Sequence, residues 1–344
     1  MATENKRSFL KYFSTWRIII PIALGLSISG YLIGKSFDVR VFQQLDWGAK
    51  SILWIFLAVV FLLLRDLMNM LRLRHLTHKK LGLKQLFQSI VLWEFGTSVM
   101  PSFIGGSAMA LIVVHKEGVE LGRTTAVVML SSLLDELYFI LLIPIAFALV
   151  SFTDVFGFTL GEMPFSSGWI FWGGYIYLAF LALFITTSVF IFPHLFGKVV
   201  RYIFRFKLIR RWKGRANRMS RDLVTSSREL KGQPIAYWLK AFLFTFLAWT
   251  ARFFIINCLV MAFMPGVDHA QLYVRQLLMW VVMLVSPTPG ASGIAEWIFS
   301  DYLGVFLIAG LAPVLALIWR LLTFYYYLVA GSLVLPVWVR RVFK

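Results

Sequence analysis

The chain has 344 residues, 60% of them hydrophobic, with a mean hydropathy of +0.79 and a formal net charge of +18. That apolar excess lies well above the roughly half-apolar usage of soluble domains and excludes a water-soluble fold. The bases gather in short segments between apolar runs, which points away from nucleic acid, and the single cysteine, Cys258, excludes an intramolecular disulfide and a Cys-rich metal site.

The first apolar run, Ile18 to Ile33, follows Lys6, Arg7, Lys11 and Arg17, a basic start like that of a signal peptide. No small-residue cleavage pattern comes after it, so an uncleaved helix directed outward is predicted. The second run, Ser51 to Leu64, falls short of the ~20 residues a spanning helix needs. It is expected to borrow residues beyond Arg65, whose side chain would snorkel to the interface. That helix delivers the segment Arg65 to Lys84, six Lys or Arg against Asp66, to the cytoplasm, and leaves Lys35 to Lys50 outside. Further spans are predicted within Thr124 to Val150, Trp169 to Phe192, Tyr237 to Met264 and Val305 to Pro336.

Two apolar stretches are interrupted. Gln88 to Val114 carries Glu94, Pro101, Gly105 and Gly106, and Leu272 to Tyr302 carries Pro287, Pro289, Gly290, Gly293 and Glu296. A helix is broken at membrane depth only where protein or a watery cavity satisfies the freed backbone groups. Charge decides how each stretch sits. Gly197 to Lys240 holds thirteen Lys or Arg against Asp222 and Glu229, whereas Ser151 to Gly168 holds no base and the acids Asp154 and Glu162. A full crossing at Gln88 to Val114 would place the thirteen bases outside, against the positive-inside bias. A re-entrant hairpin turning at Pro101 to Gly106 keeps them inside, with arms of about a dozen residues or ~18 Å. The same logic makes Leu272 to Tyr302 a hairpin turning at Pro287 to Gly290. The expected fold is an all-α polytopic membrane protein, a single integral domain over 1–344. It has about six spanning helices and two Pro/Gly-broken hairpins entering from opposite faces, an arrangement that suggests an inverted repeat. Both termini then lie in the cytoplasm, and the basic segment 197–236 forms a cytoplasmic amphipathic loop.

Four ionisable residues fall inside predicted spans: Asp135, Glu136, Arg252 and Arg320. Each costs roughly 2.5–3.5 kcal/mol at a helix centre, so each is expected to find a partner or a wet cavity. Two readings stand: the charges pair and pin the helices, or Arg252 and Arg320 bind an anionic headgroup assisted by the N–H groups of the hairpin half-helices. Glu94, Glu296, Asp135 and Glu136 then relay protons, contact a basic headgroup or tie the hairpin backbone. Gly290-Ala291-Ser292-Gly293 matches the GxSG pattern of rhomboid-type proteases, but no histidine follows His269, and no zinc or P-loop pattern is present.

Pro287-Thr288-Pro289-Gly290-Ala291-Ser292-Gly293-Ile294-Ala295-Glu296 and Arg320-Leu321-Leu322-Thr323-Phe324-Tyr325-Tyr326 resemble segments of the membrane domain of lysylphosphatidylglycerol synthase/flippase proteins. Pro101 to Gly106, Gly118 and Asp135 extend the resemblance more weakly. Met109 and Ser131-Ser132 depart from it, standing where that family carries an arginine and a Glu-Arg pair. The resemblance implies translocation of a phospholipid or lipid-linked anionic headgroup across the bacterial cytoplasmic membrane, with membrane lipids as partners and no cofactor. Lysine transfer requires a soluble aminoacyltransferase domain, for which the membrane segments leave no room. A lipid-modifying membrane enzyme and a non-transporting partner of a lipid synthase remain as alternatives.

Overall fold

The computed structural model describes residues 47–100, 102–150, 167–203, 213–284, 286, 288–308 and 310–342, with Ser27, Tyr31 and Gly34. The first predicted span lies outside the described residues but for Ser27 and Tyr31, as do Pro101, Pro287 and most of the predicted outer loop 151–168. In chain order the helices are α1 (Ala49–Leu76), α2 (Leu83–Val99), α3 (Ser102–Lys116), α4 (Leu121–Leu149), α5 (Ser167–Thr186) and α6 (Pro193–Ile203). They continue as α7 (Lys213–Lys231), α8 (Ile235–Met261), α9 (His269–Leu284), α10 (Ile294–Leu303), α11 (Leu311–Arg320) and α12 (Tyr326–Val342). A π-helical turn at Leu321–Tyr325 joins α11 to α12, so Leu311–Val342 is one continuous span. With α1, α4, α5 and α8 this makes five spans among the described residues.

The two interrupted stretches are hairpins. Both ends of the first meet: Gln85 at the start of α2 donates to Glu117, just past α3, at 2.8 Å. The second closes likewise, because Arg275 near the start of α9 donates to the Tyr302 carbonyl near the end of α10 at 3.1 Å. The span Leu311–Val342 orients them. A Cβ on Gly304, at the open end of the second hairpin, would sit 3.7 Å from the Ala312 Cβ at the start of that span. Glu117, at the open end of the first, accepts from Trp338 Nε1 at 2.7 Å and pairs with Arg341 at its end. The hairpins therefore enter from opposite ends of the bundle and meet tip to tip inside it.

Three expectations change. The first turn falls between Val99, the end of α2, and Ser102, the start of α3, and Gly105 and Gly106 lie within α3. A Cβ on Gly106 would sit 2.3 Å from Thr97 Oγ1, which marks the close approach of the two arms. The arms are also longer than a dozen residues, at 17 and 15 in the first hairpin. Finally, the basic segment beyond Arg65 is no loop: α1 runs on to Leu76, and the segment 197–236 is largely helix, with α6 and α7 packed on each other and α7 on α4.

Apolar burial gives little drive between helices in a bilayer, so close packing of small residues takes over. Helix α12 lies on α2 at Gly331, where a Cβ would come within 2.4 Å of the Phe95 ring. Gly331→Leu is expected to lower stability by about 1–3 kcal/mol through overpacking, read as an earlier unfolding transition of the detergent-solubilised protein.

Candidate functional site

The second hairpin is held at its tip by a buried ion pair. After α9 the chain turns through Thr288 to Ser292, with Gly290, Ala291 and Gly293 at φ of 57°, 53° and 86°. Glycine tolerates the left-handed region without steric cost. At the start of α10, Glu296 Oε2 accepts from the Gly293 N–H at 2.6 Å, and Oε1 accepts from Arg320 Nε at 3.0 Å. Arg320 Nη2 also donates to the Gly290 carbonyl at 2.9 Å, and its guanidinium lies 3.9 Å from the Phe324 ring centroid. The helix N-terminus expected to receive a phosphate is thus already capped by a protein carboxylate, and Arg320 serves mainly to fasten it.

The first hairpin is fastened by a residue expected elsewhere. Arg65 does not snorkel: it is 1% exposed, ion-paired with Glu94 of α2, and donates to the Tyr327 hydroxyl at 3.0 Å. Tyr327 in turn donates to Asp66 at 2.6 Å. Burial is the cheaper choice because the helix continues well past Arg65, too far inside the bundle for the side chain to reach an interface, and two carboxylates wait there. Tyr327→Phe removes the hydroxyl that both residues use, and a loss of about 1–3 kcal/mol is expected, measurable by thermal unfolding in detergent.

A third tie crosses the bundle. Arg72 donates to both oxygens of Asp135, at 2.5 and 3.4 Å, and to Thr245 at 3.1 Å, while Trp249 Nε1 donates to Asp135 at 2.8 Å. Asp135 therefore pairs with Arg72, neither with Arg252 nor with Arg320. Glu136, its neighbour, points elsewhere: it lines neither central lobe, makes no ion pair among the described residues, and has a buried Oε2 without a hydrogen-bond partner.

Between these ties lies a cavity of two lobes. One, of 70 Å³, is lined by Arg65, Asn69, Arg72, Trp93, Glu94 and Asp135 among others; the second, of 110 Å³, by Thr97, Ser98, Gly290, Ala291 and Arg320 among others. Glu94 and Arg252 line both. The tips of the two hairpins thus face one another across the second lobe, whose walls also carry Trp280, Met283 and Phe324. Arg252 differs from every other arginine there. Its guanidinium lies 4.3 Å from the Trp280 ring centroid and 5.3 Å from that of Trp249, and it has no hydrogen bond and no ion pair among the described residues. A planar cation stacked on indole faces leaves its in-plane N–H donors unblocked.

Of the predicted site residues, Glu94, Asp135, Arg252, Arg320 and Gly290 reach the cavity, Glu296 stands behind Arg320, and Glu136 lies apart. Arg65, Asp66, Arg72, Trp249, Trp280 and Tyr327 were not expected. A signal for some of them existed: Arg65, Asn69 and Arg72 recur at i, i+4 and i+7, one face of a helix, and that face lines the cavity.

Comparison with known proteins accords with this architecture. The model of the lysylphosphatidylglycerol synthase transmembrane region matches residues 18–331, nearly the whole chain. The chain belongs to this family. A member of the lysylphosphatidylglycerol synthase transmembrane-region family is an integral membrane protein, in keeping with the five spans. A "UPF0104 membrane protein" of Archaeoglobus fulgidus is 26% identical over 314 residues, covering 88% of this chain and 94% of that protein. No solved structure matches. The family segments have clear positions here: the proline-glycine run forms the tip of the second hairpin, and the arginine at the start of the aromatic helix is Arg320, which closes that tip.

Proposed function

We propose that this protein translocates a lipid by passing its anionic headgroup through the cavity between the hairpin tips while the acyl chains stay in the bilayer. The observation that carries this reading is Arg252, a cation at the meeting point of both lobes with no hydrogen bond or ion pair among the described residues. Leaving such a charge inside a membrane is costly, and a phosphate arriving from outside the protein would offset that cost. The charge balance supports a bound anion, since Arg65 and Arg72 in the same lobe are matched by Glu94 and Asp135 and Arg252 is left in excess. At 70 and 110 Å³ the lobes are smaller than the ~300 Å³ and above of ordinary ligand pockets. The arrangement is therefore a closed one, and headgroup entry requires a hairpin tip or the cavity wall to move.

Glu94 and Asp135 are bound to Arg65 and Arg72, an arrangement suited to positioning guanidinium groups more than to abstracting a proton, so transport is favoured over lipid modification. The proposal carries with it a bacterial inner membrane and membrane lipids as partners, and the charge bias supports cytoplasmic termini. The test is reconstitution into liposomes with headgroup-labelled phospholipids. Faster equilibration between leaflets than in protein-free vesicles is expected. Protein-free rates across a panel of anionic and zwitterionic lipids would overturn the proposal.

A further inference from the structure

A larger cavity, of 370 Å³, opens on the side of the bundle between α4, α8 and α9. Its walls are apolar, formed by Leu142, Ile145 and Ala146 from α4, Phe254 from α8 and Leu277 from α9. Ile145 and Phe254 are exposed at 56% and 38%, so the groove opens on the outer surface of a spanning region and faces hydrocarbon. One end is polar. Asn257 Nδ2 and His269 Nδ1 lie 3.3 Å apart there, at the outer end of the second hairpin, where an interfacial ester or hydroxyl would sit. Along the groove, positions 142 to 150 of α4 cover ~12 Å at 1.5 Å per residue.

Three aromatic rings separate the groove from the central cavity. Tyr273 lines the groove and hydrogen-bonds the hydroxyl of Tyr138. Tyr138 stacks on Trp249 at 5.9 Å between centroids, and Trp249 lines the central lobe beside Arg252. Helix α8 carries both sites: Arg252 faces the cavity, and Asn257 of the groove's polar end lies five residues on, ~7.5 Å along the axis.

We propose that this groove is a lateral lipid site, in which one acyl chain lies along the α4 and α9 walls with its ester end at Asn257 and His269. The Tyr138–Tyr273 pair is the partition that the lipid passes to bring its headgroup to Arg252. The second statement rests on the translocation reading above; the site itself does not. Its occupant is a bilayer lipid because the mouth faces the bilayer, the wall is apolar and the polar groups, Asn257 and His269, engaged with each other and with Gln276 and Met261, lie at one end.

The experiment uses the full chain in nanodiscs containing phosphatidylglycerol with a diazirine in one palmitoyl chain. After illumination, adducts are mapped by mass spectrometry. The expected result is labelling concentrated in 142–150 and 269–277, reduced at least fivefold by Ala146→Phe or by Ala270→Phe at the exposed lip. Labelling of the outward residues Ile176 and Phe180 of α5 serves as the control for surrounding lipid and is expected to stay constant. Equal labelling of α5 and the groove, unaffected by either variant, means surrounding lipid only and overturns the site. Glycerol 3-phosphate binding, a headgroup without a tail, is measured in parallel. Lost groove labelling with normal glycerol phosphate binding rejects the groove alone; normal labelling without Arg252-dependent glycerol phosphate binding rejects the translocation reading alone.

Discussion

Replacing Arg252 with glutamine is expected to weaken glycerol 3-phosphate binding by about 10- to 100-fold without unfolding the protein. A hydrogen bond to a charged group is worth about 1.5–3 kcal/mol, and each 1.4 kcal/mol is tenfold in affinity. The fold should survive because Arg252 makes no ion pair or hydrogen bond among the described residues; what it loses is stacking on Trp280 and Trp249, about 0.5–2 kcal/mol. Removing a charge without an ion pair from inside the bundle offsets part of that loss. Thermal stability should therefore stay level or rise while binding falls. Arg252→Lys keeps the charge and gives up the planar fork, so it is expected to fall between the two. Calorimetric titration and transport in liposomes read the effect, and wild-type affinity in the glutamine variant would show that the anion sits elsewhere.

Arg320 and Glu296 should behave in the opposite way. Either single change, Arg320→Met or Glu296→Gln, leaves the partner's charge unmatched inside the bundle, and a loss of about 3–5 kcal/mol is expected. The double variant should cost much less than the two singles together, because a neutral pair leaves no buried charge unmatched. Unfolding midpoints of the three variants in mild detergent give the coupling. If the single losses simply add, the pair seen between Arg320 Nε and Glu296 Oε1 at 3.0 Å carries no stabilising interaction. The contrast between the two arginines is the sharper result: Arg320 is tied to Glu296 and Gly290, whereas Arg252 makes no hydrogen bond or ion pair among the described residues, although the sequence presents both as lone bases in apolar helices.

Legibility divided along physical lines. Helix existence followed from apolar run length, because a backbone in hydrocarbon must close its own hydrogen bonds, and α1 did extend past Arg65 as its short apolar core required. The hairpins followed from charge bookkeeping, and the contacts Gln85–Glu117 and Arg275–Tyr302 close them as expected. Where sequence reasoning failed, it treated a base as evidence of an interface. Arg65 and Arg72 lie in a segment whose average composition is basic, yet each finds a carboxylate on another helix. The role of Gly106 was misread for a related reason: a glycine near a proline signals a turn, whereas here it lets two helices touch.

By itself the sequence determined an all-helical integral membrane protein with two opposed broken hairpins and a set of intramembrane charges, since length, hydropathy and charge bias are properties of single segments. Only the tertiary structure decided which charge meets which. Pairing depends on the rotation of each helix about its own axis, set by close packing such as Gly331 on Phe95, and no single segment encodes that rotation. That is why Arg320, Arg65 and Arg72 emerged as matched to Glu296, Glu94 and Asp135, and Arg252 as the cation with no hydrogen bond or ion pair among the described residues.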